Sequence, residues 1–169
     1  MTPTVEVLGK LPSAGATLFQ RMSIFIMRID IMIMKCDEAL DKLQPAHSGR
    51  IRIEWWKANA GQGLQEKRPY PVRWNRNKAG TWRAEKMGVD HLVSRAKTSG
   101  EFYATAEQVK EVLGVLSDLL RKRQTAVDAL KRARLIIVRT VEDNEEILKR
   151  IEESLEGLKV PESVASSGT

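Results

Sequence analysis

Apolar residues recur at alternating steps of four and three along the N-terminal part of the chain, and all eight positions of this register are apolar. Such a heptad stripe predicts an α-helix over residues 14–44. Thr17 and Gln20 have the spacing of a capping box, which is a candidate start for the regular helix. Pro45 and the polar residues after it end the helix. The stripe consists of Leu18, Met22, Phe25, Ile29, Met32, Cys36, Ala39 and Leu43.

A β-strand is the competing interpretation of residues 24–33, because five isoleucines stand there in near-alternation. We prefer the helix, since the heptad register continues on both sides of the isoleucines. This helix is apolar on more than one side, so we expect several neighbours to cover it. Basic residues also recur every seven positions, and they either flank a helix seam or are ordinary solvated charges. That row is Arg21, Arg28, Lys35 and Lys42.

In residues 50–87 apolar residues recur at every second position, which we interpret as a small antiparallel sheet of two or three strands. The first strand, residues 50–57, places Ile51, Ile53 and Trp55 on one face and Arg52 and Trp56 on the other. A second strand is predicted at residues 71–76, a turn at 77–80 and a return strand at 81–87. Residues 58–70 form the predicted loop between the first two strands, and residues 88–104 form a connector with a helical turn near 89–96.

A second, longer helix is predicted over residues 105–159, opening with a capping box at Thr105–Gln108. Its heptad register runs through fourteen positions, eleven of them apolar. At 1.5 Å per residue this helix would be about 80 Å long, too long to be buried by a small domain of its own chain. We therefore expect an oligomer seam, with the polar positions fixing its register. The register is Leu113, Leu116, Leu120, Arg123, Val127, Leu130, Arg134, Ile137, Val141, Asn144, Leu148, Ile151, Leu155 and Leu158.

The predicted fold class is thus mainly α with a small antiparallel β element, the long helices forming a coiled coil or helical bundle. Residues 1–13 are a short lead and residues 160–169 a disordered tail. The order of helix, small β element and helix resembles the architecture of prefoldin-type chaperone subunits. The resemblance implies a helical protein that assembles with other subunits.

The net charge of +6 is unevenly distributed. Residues 50–97 carry twelve basic and four acidic groups, a local charge of +8, whereas the flanking segments are close to neutral. Such a segment indicates a polyanionic partner, or alternatively a basic surface that serves solubility. The single cysteine, Cys36, excludes an internal disulfide. The apolar run at residues 23–34 is too short to span a bilayer and contains two charges, so we expect a cytoplasmic protein without a membrane partner.

No pattern of catalytic, metal-binding or cofactor-binding residues is recognisable. His47 and His91 are 44 positions apart and have no Cys or Ser in a recognisable relation to them. Cys36 stands at a heptad position that favours a small apolar side chain. Gly61 and Gly63 lack the third glycine and the following helix of a dinucleotide-binding fingerprint. We therefore expect a protein that is not an enzyme and has no cofactor or metal.

The basic, tryptophan-bearing sheet is the candidate binding site, because cations neutralise phosphates and indole rings stack on bases. The alternative is that Trp55, Trp74 and Trp82 form the core of the small sheet. Trp56 shares a face with Arg52 and is the best candidate for exposure. The predicted nucleic-acid-binding residues are Arg52, Trp56, Lys57, Arg73, Arg76, Lys78, Arg83 and Lys86.

The leading hypothesis is a non-enzymatic, oligomeric nucleic-acid-binding accessory protein, assembled by its helices and contacting phosphates through its sheet. The alternative hypothesis is a structural scaffold or prefoldin-like chaperone that binds an acidic protein partner and no nucleic acid.

Overall fold

The computed structural model describes residues 10–57 and 67–158. It contains helix α1 (Lys10–Leu43), strands β1 (Arg50–Lys57), β2 (Lys67–Arg76) and β3 (Trp82–Lys86), and helix α2 (Ala106–Glu156). Two short 3-10 helices, Val93–Arg95 and Gly100–Thr105, precede α2. The described chain is mainly helical with a small three-stranded antiparallel sheet, as predicted. The described residues contain only two long helices, so the coiled coil or helical bundle stays a prediction. Most of the predicted lead, the predicted tail and residues 58–66 of the predicted loop lie outside the described residues.

Two compact units divide the chain, Met1–Asp128 and Ala129–Thr169. The first contains α1, the sheet, the connector and the first part of α2; the second contains the rest of α2.

The limits of the elements correct several sequence predictions. Helix α1 begins at Lys10, so the capping box at Thr17 does not mark its start. Pro12 is compatible with this start, because N–H groups in the first turn have no intrahelical acceptor. Strand β2 begins at Lys67, so residues 67–70 are strand and not loop. Helix α2 begins one residue after Thr105, whose hydroxyl donates to the Leu43 carbonyl (2.6 Å) and thereby joins the end of α1 to the start of α2.

The sheet has the order β1-β2-β3, and both pairs of neighbouring strands are antiparallel. Opposed residues in the register share a face, so the whole sheet can be divided into two faces. The inner face carries Ile51 and Ile53, both buried, together with Pro69 and Pro71, also buried. The predicted alternation along β1 is confirmed by this burial pattern.

The core forms where the inner face of the sheet meets both helices. Buried residues of α1 and α2 join Ile51, Ile53, Met87 and Leu92 in one cluster. The α1 positions that enter it follow steps of four, three and four, and only two of them belong to the heptad stripe predicted from the sequence. Leu18, Phe25 and Met32 of that stripe are exposed instead. The helix residues of the core are Ile29, Ile33, Cys36, Leu40, Val109, Leu113, Leu116 and Leu120.

Asp37 of α1 and Gln44, the residue that follows α1, bond to the first part of the free backbone edge of β1. The Gln44 amide donates to the Ile51 carbonyl (2.8 Å) and accepts from the Ile51 N–H (2.8 Å). One residue pair further along, an Asp37 carboxylate oxygen accepts from the Ile53 N–H (2.8 Å). An edge strand exposes unpaired N–H and C=O groups to other chains, and these three bonds give partners to the N–H and C=O of Ile51 and to the N–H of Ile53.

The first five positions of the predicted oligomer seam are buried within the chain itself. Leu113, Leu116, Leu120, Arg123 and Val127 are all buried in the first unit, because α1 and the sheet already pack against this side of α2. These five positions are therefore not a free surface, which corrects the prediction that they face another subunit.

Arg123 was predicted to interrupt a seam between subunits, but it forms an ion pair within the chain. Its guanidinium donates to the Asp30 carboxylate of α1 through Nε (2.5 Å) and Nη2 (3.3 Å). It also lies over the Trp55 ring, 5.7 Å from the ring centroid. The polar residue in this register therefore connects α2 to α1 and to the inner face of the sheet.

In the second unit, the described register positions beyond residue 133 are all exposed, and Leu130 is half-buried. They are Arg134, Ile137, Val141, Asn144, Leu148, Ile151, Leu155 and Leu158.

Candidate functional site

The face of the sheet opposite the core gathers most of the aromatic and basic side chains of the β element. The pairing of Arg50 with Trp74, of Trp56 with Arg68 and of Arg76 with Trp82 places these residues on one face. We call it the outer face. It carries four aromatic residues, five basic residues and one acid. Its members are Arg50, Arg52, Glu54, Trp56, Arg68, Tyr70, Val72, Trp74, Arg76, Trp82, Ala84 and Lys86.

Cations and aromatic rings are in contact across the outer face. Trp82 contacts two guanidinium groups, with the Cζ of Arg50 at 5.7 Å and that of Arg76 at 5.9 Å from its ring centroid. The Lys86 ammonium is 3.5 Å from the centroid of Tyr70. These cation–π contacts orient flexible basic side chains over the sheet.

Two tryptophans of the outer face are accessible. Trp56 is 37% exposed and Trp82 is 38% exposed, while Tyr70 is half-buried. Trp56 packs against Tyr70 with the ring centroids 5.5 Å apart and the planes tilted by 38°. The exposure expected for Trp56 is therefore present, and Trp82, which the alternative interpretation placed in the core, is as exposed as Trp56.

The charges of the outer face are only partly neutralised. Arg52 reaches across the β1 edge, donates to Asp37 through Nε (2.9 Å) and Nη2 (2.9 Å), and pairs with Asp41. The hydrogen bond to Asp37 is the main cause of the raised pKa of Arg52, and the neighbouring carboxylates add to it. Arg50, Arg68, Arg76 and Lys86 form no ion pair within residues 10–57 and 67–158, so four positive charges on this face lack an acidic partner there.

The predicted nucleic-acid-binding residues do not form a single surface. Arg52, Trp56, Arg76 and Lys86 lie on the outer face. Lys57, Arg73 and Arg83 lie on the inner face of their strands, because they alternate with outer-face residues, and Lys78 lies in the β2–β3 turn. Strand alternation is the physical reason for this division.

Arg73 belongs to a second basic surface beside the core. Its Nη2 donates to the Arg95 carbonyl (2.7 Å), and it lines a cleft of about 310 Å³ together with Arg95 and Lys97. Lys97 donates to the Ser48 carbonyl (3.0 Å) and lies over Phe102. The other residues of this cleft are Ser48, Gly49 and Asn75.

Sequence reasoning did not assign five outer-face residues to the site: Arg50, Arg68, Tyr70, Trp74 and Trp82. Alternation could have placed Arg50, Trp74 and Trp82 on a face of their own strands, whereas Arg68 and Tyr70 fall in the segment predicted to be a loop. The register that brings the three strands onto one face is not visible in the sequence.

The residues considered for other chemistry are dispersed. Cys36 is buried in the core, and desolvation raises the pKa of its thiol. His47 contacts Glu101 (3.0 Å) at an exposed position. Residues 10–57 and 67–158 hold no group of three or more potential metal ligands. Over the same residues, no helix combines the length and the apolar character needed to cross a membrane.

Comparison of the chain with models of known protein families, with curated proteins and with solved structures gave no match.

Proposed function

We propose that this protein is a non-enzymatic, oligomeric accessory protein that binds nucleic acid through the outer face of its sheet, and that it prefers single strands to duplexes. The observation that carries the proposal is the composition of this face. Four aromatic and five basic residues share it with one acid, on the side of the sheet that the core does not use.

The proposed preference for single strands follows from the accessible aromatic rings of the outer face. Bases can stack on an aromatic side chain only when they are not already stacked within a duplex. Trp56 and Trp82 offer accessible ring surface, and the neighbouring cations Arg50, Arg76 and Lys86 can contact the phosphates between two stacked bases. Phosphate contacts supply affinity that does not depend on sequence.

The test is a fluorescence-anisotropy titration of the full chain against a labelled single strand and a labelled duplex at 50 and 200 mM salt. The logarithm of affinity should fall with the logarithm of salt concentration by about 0.7 for each phosphate neutralised on a single strand. The double variant Arg76→Gln/Lys86→Gln should therefore reduce the salt slope by about 1.4 if each cation engages one phosphate.

Arg83→Gln is the matched control, because Arg83 is exposed on the same strand as Lys86 but on the other face. Arg83→Gln should change the salt slope by less than about half of the change that replacement of one outer-face cation causes. Trp82→Ala should weaken single-strand binding by about 5- to 100-fold, the worth of one stacked base, and duplex binding much less. Absence of binding to either nucleic acid at 50 mM salt would refute the proposal.

A scaffold or chaperone-like function is the second candidate, and the exposed apolar surface of α1 favours it. Ile24, Met27, Ile31 and Met34 are each about half exposed. Flexible methionines are frequent on surfaces that accept several protein partners. If nucleic acid does not bind, this function takes the place of the first, with an acidic protein as the expected partner of the basic sheet.

A further inference from the structure

The second unit has an apolar stripe that its own helix cannot cover. Ile137, Val141, Leu148, Ile151 and Leu155 follow one side of α2, and each is about half or more exposed. An isolated helix with a long apolar stripe gains stability by burying it against another helix.

Charge divides this unit into two halves of opposite sign. Residues 129–140 contain four basic groups and no acid, a charge of +4. Residues 141–156 contain seven acids and two bases, a charge of −5. A parallel pair of copies would place each half beside a half of the same sign. An antiparallel pair places the basic half of each copy beside the acidic half of the other, which favours this orientation.

We propose that a second copy of this chain packs antiparallel on the stripe of the second unit, with the two-fold axis between Glu142 and Asp143. This alignment makes layers of Leu130 with the partner's Leu155, Ile137 with the partner's Leu148, and Val141 with the partner's Asn144. It also places Arg134 opposite the partner's Ile151. Every apolar stripe residue of the overlap then faces a residue of the other helix.

One charged pair follows from the same alignment. At 100° per residue, Arg134 and Glu152 both lie about 60° from the direction of Ile137, on the same side of the stripe. The antiparallel axis brings Arg134 of one copy beside Glu152 of the other, and the pair occurs twice by symmetry. Neither side chain takes part in an ion pair or hydrogen bond within the part of the chain described here, so both are available for this contact.

This inference rests on the assembly part of the proposed function and is independent of nucleic-acid binding. Disulfide cross-linking of the full chain tests it, on a Cys36→Ala background. In an antiparallel pair the two copies of residue 148 are separated along the helix axis by 11 residues, or about 16 Å. A disulfide requires Cα atoms within about 7 Å. Leu148→Cys alone should therefore not cross-link, whereas a mixture of Ile137→Cys and Leu148→Cys should give a mixed disulfide.

Efficient cross-linking of Leu148→Cys to itself would show a parallel pair and overturn the inference while leaving assembly intact. A monomer by light scattering at micromolar concentration would overturn both the inference and the assembly part of the proposed function. If the Cys36→Ala background does not fold, the same variants are made with Cys36 present, and peptide mapping of the disulfide decides between the same outcomes.

Charge reversal provides a second readout. Arg134→Glu and Glu152→Arg should each raise the dissociation constant of the pair about tenfold, because two attractive contacts become repulsive. The double variant Arg134→Glu/Glu152→Arg should restore it. In a parallel pair residue 134 faces its own copy, so a double variant no tighter than the single variants would overturn the antiparallel alignment.

Discussion

The ion pair between Arg123 and Asp30 offers the most direct test of the core. The Arg123 side chain is only 7% exposed, and the Asp30 side chain is 26% exposed. Asp30→Ala removes the Asp30 carboxylate from a buried guanidinium, and removal of one partner of a buried ion pair costs about 3–5 kcal/mol in other proteins. We expect about 3 kcal/mol, at the lower end, because Asp30 is partly hydrated and the Trp55 ring still faces the cation.

The double variant Asp30→Ala/Arg123→Met removes both charges together. Replacement of a buried ion pair by apolar side chains is often neutral or stabilising, so the double variant should lie within about 1 kcal/mol of the native protein. Lys110→Ala is the control, since Lys110 pairs with the largely exposed Glu107 (2.7 Å). Loss of that surface pair should cost at most about 1 kcal/mol.

Urea unfolding followed by tryptophan fluorescence measures these free energies, because all four tryptophans belong to the first unit and report on it alone. Strictly additive costs of the two single substitutions would refute the coupling between Arg123 and Asp30. A cost below about 1 kcal/mol for Asp30→Ala would show that Arg123 is not buried against α1, and would return it to a seam between subunits.

Two further predictions concern other contacts of the core. Gln44→Ala should destabilise the first unit by about 2 kcal/mol in the same urea assay, since it leaves the buried N–H and C=O of Ile51 without partners, and an unchanged midpoint would refute the role of Gln44 at the β1 edge. Cys36 should react with iodoacetamide far more slowly in the native protein than in 8 M urea, because burial protects the thiol and raises its pKa; equal rates would contradict its position in the core.

The sequence predicts the elements of the fold more reliably than their partners, and α1 shows why. The predicted stripe and the observed core positions are both apolar, and they share Ile29 and Cys36. Periodicity identifies a helix with more than one apolar side, but only the neighbouring elements decide which side enters the core. Here the sheet and α2 select Ile29, Ile33, Cys36 and Leu40.

Helix α2 shows a related limit. Its heptad register is continuous, yet Leu113 to Val127 pack within the chain, whereas the positions beyond residue 133 are exposed. A heptad pattern indicates that one side of a helix is apolar. It does not indicate whether the residues that pack against this side belong to the same chain. The change of role near residue 129 coincides with the boundary between the two units.

The sequence predicts only part of the candidate site, because alternation within a strand is local and the pairing of strands is not. Alternation within β1 correctly separated Trp56 from Ile51 and Ile53. The grouping of Trp82 and Trp74 with Trp56 depends on the pairing register between strands, which is a long-range property. The sequence gives no sign of the bonds that Asp37 and Gln44 make to the edge of β1, because polar residues on a helix or just after it usually indicate a solvated surface.

The core and α1 occupy surfaces of the sheet other than its outer face, which is the surface that the proposed function requires. The inner face packs in the core, and part of the β1 edge bonds to Asp37 of α1 and to Gln44. Among the described residues, the side-chain hydrogen bonds and cation–π contacts of the exposed outer-face cations Arg76 and Lys86 are made only to aromatic rings and to one turn carbonyl. Their replacement by glutamine should therefore change nucleic-acid affinity and its salt slope while leaving the urea midpoint nearly unchanged. A protein that kept such a face only for stability would show the opposite result, a lower midpoint with no loss of binding.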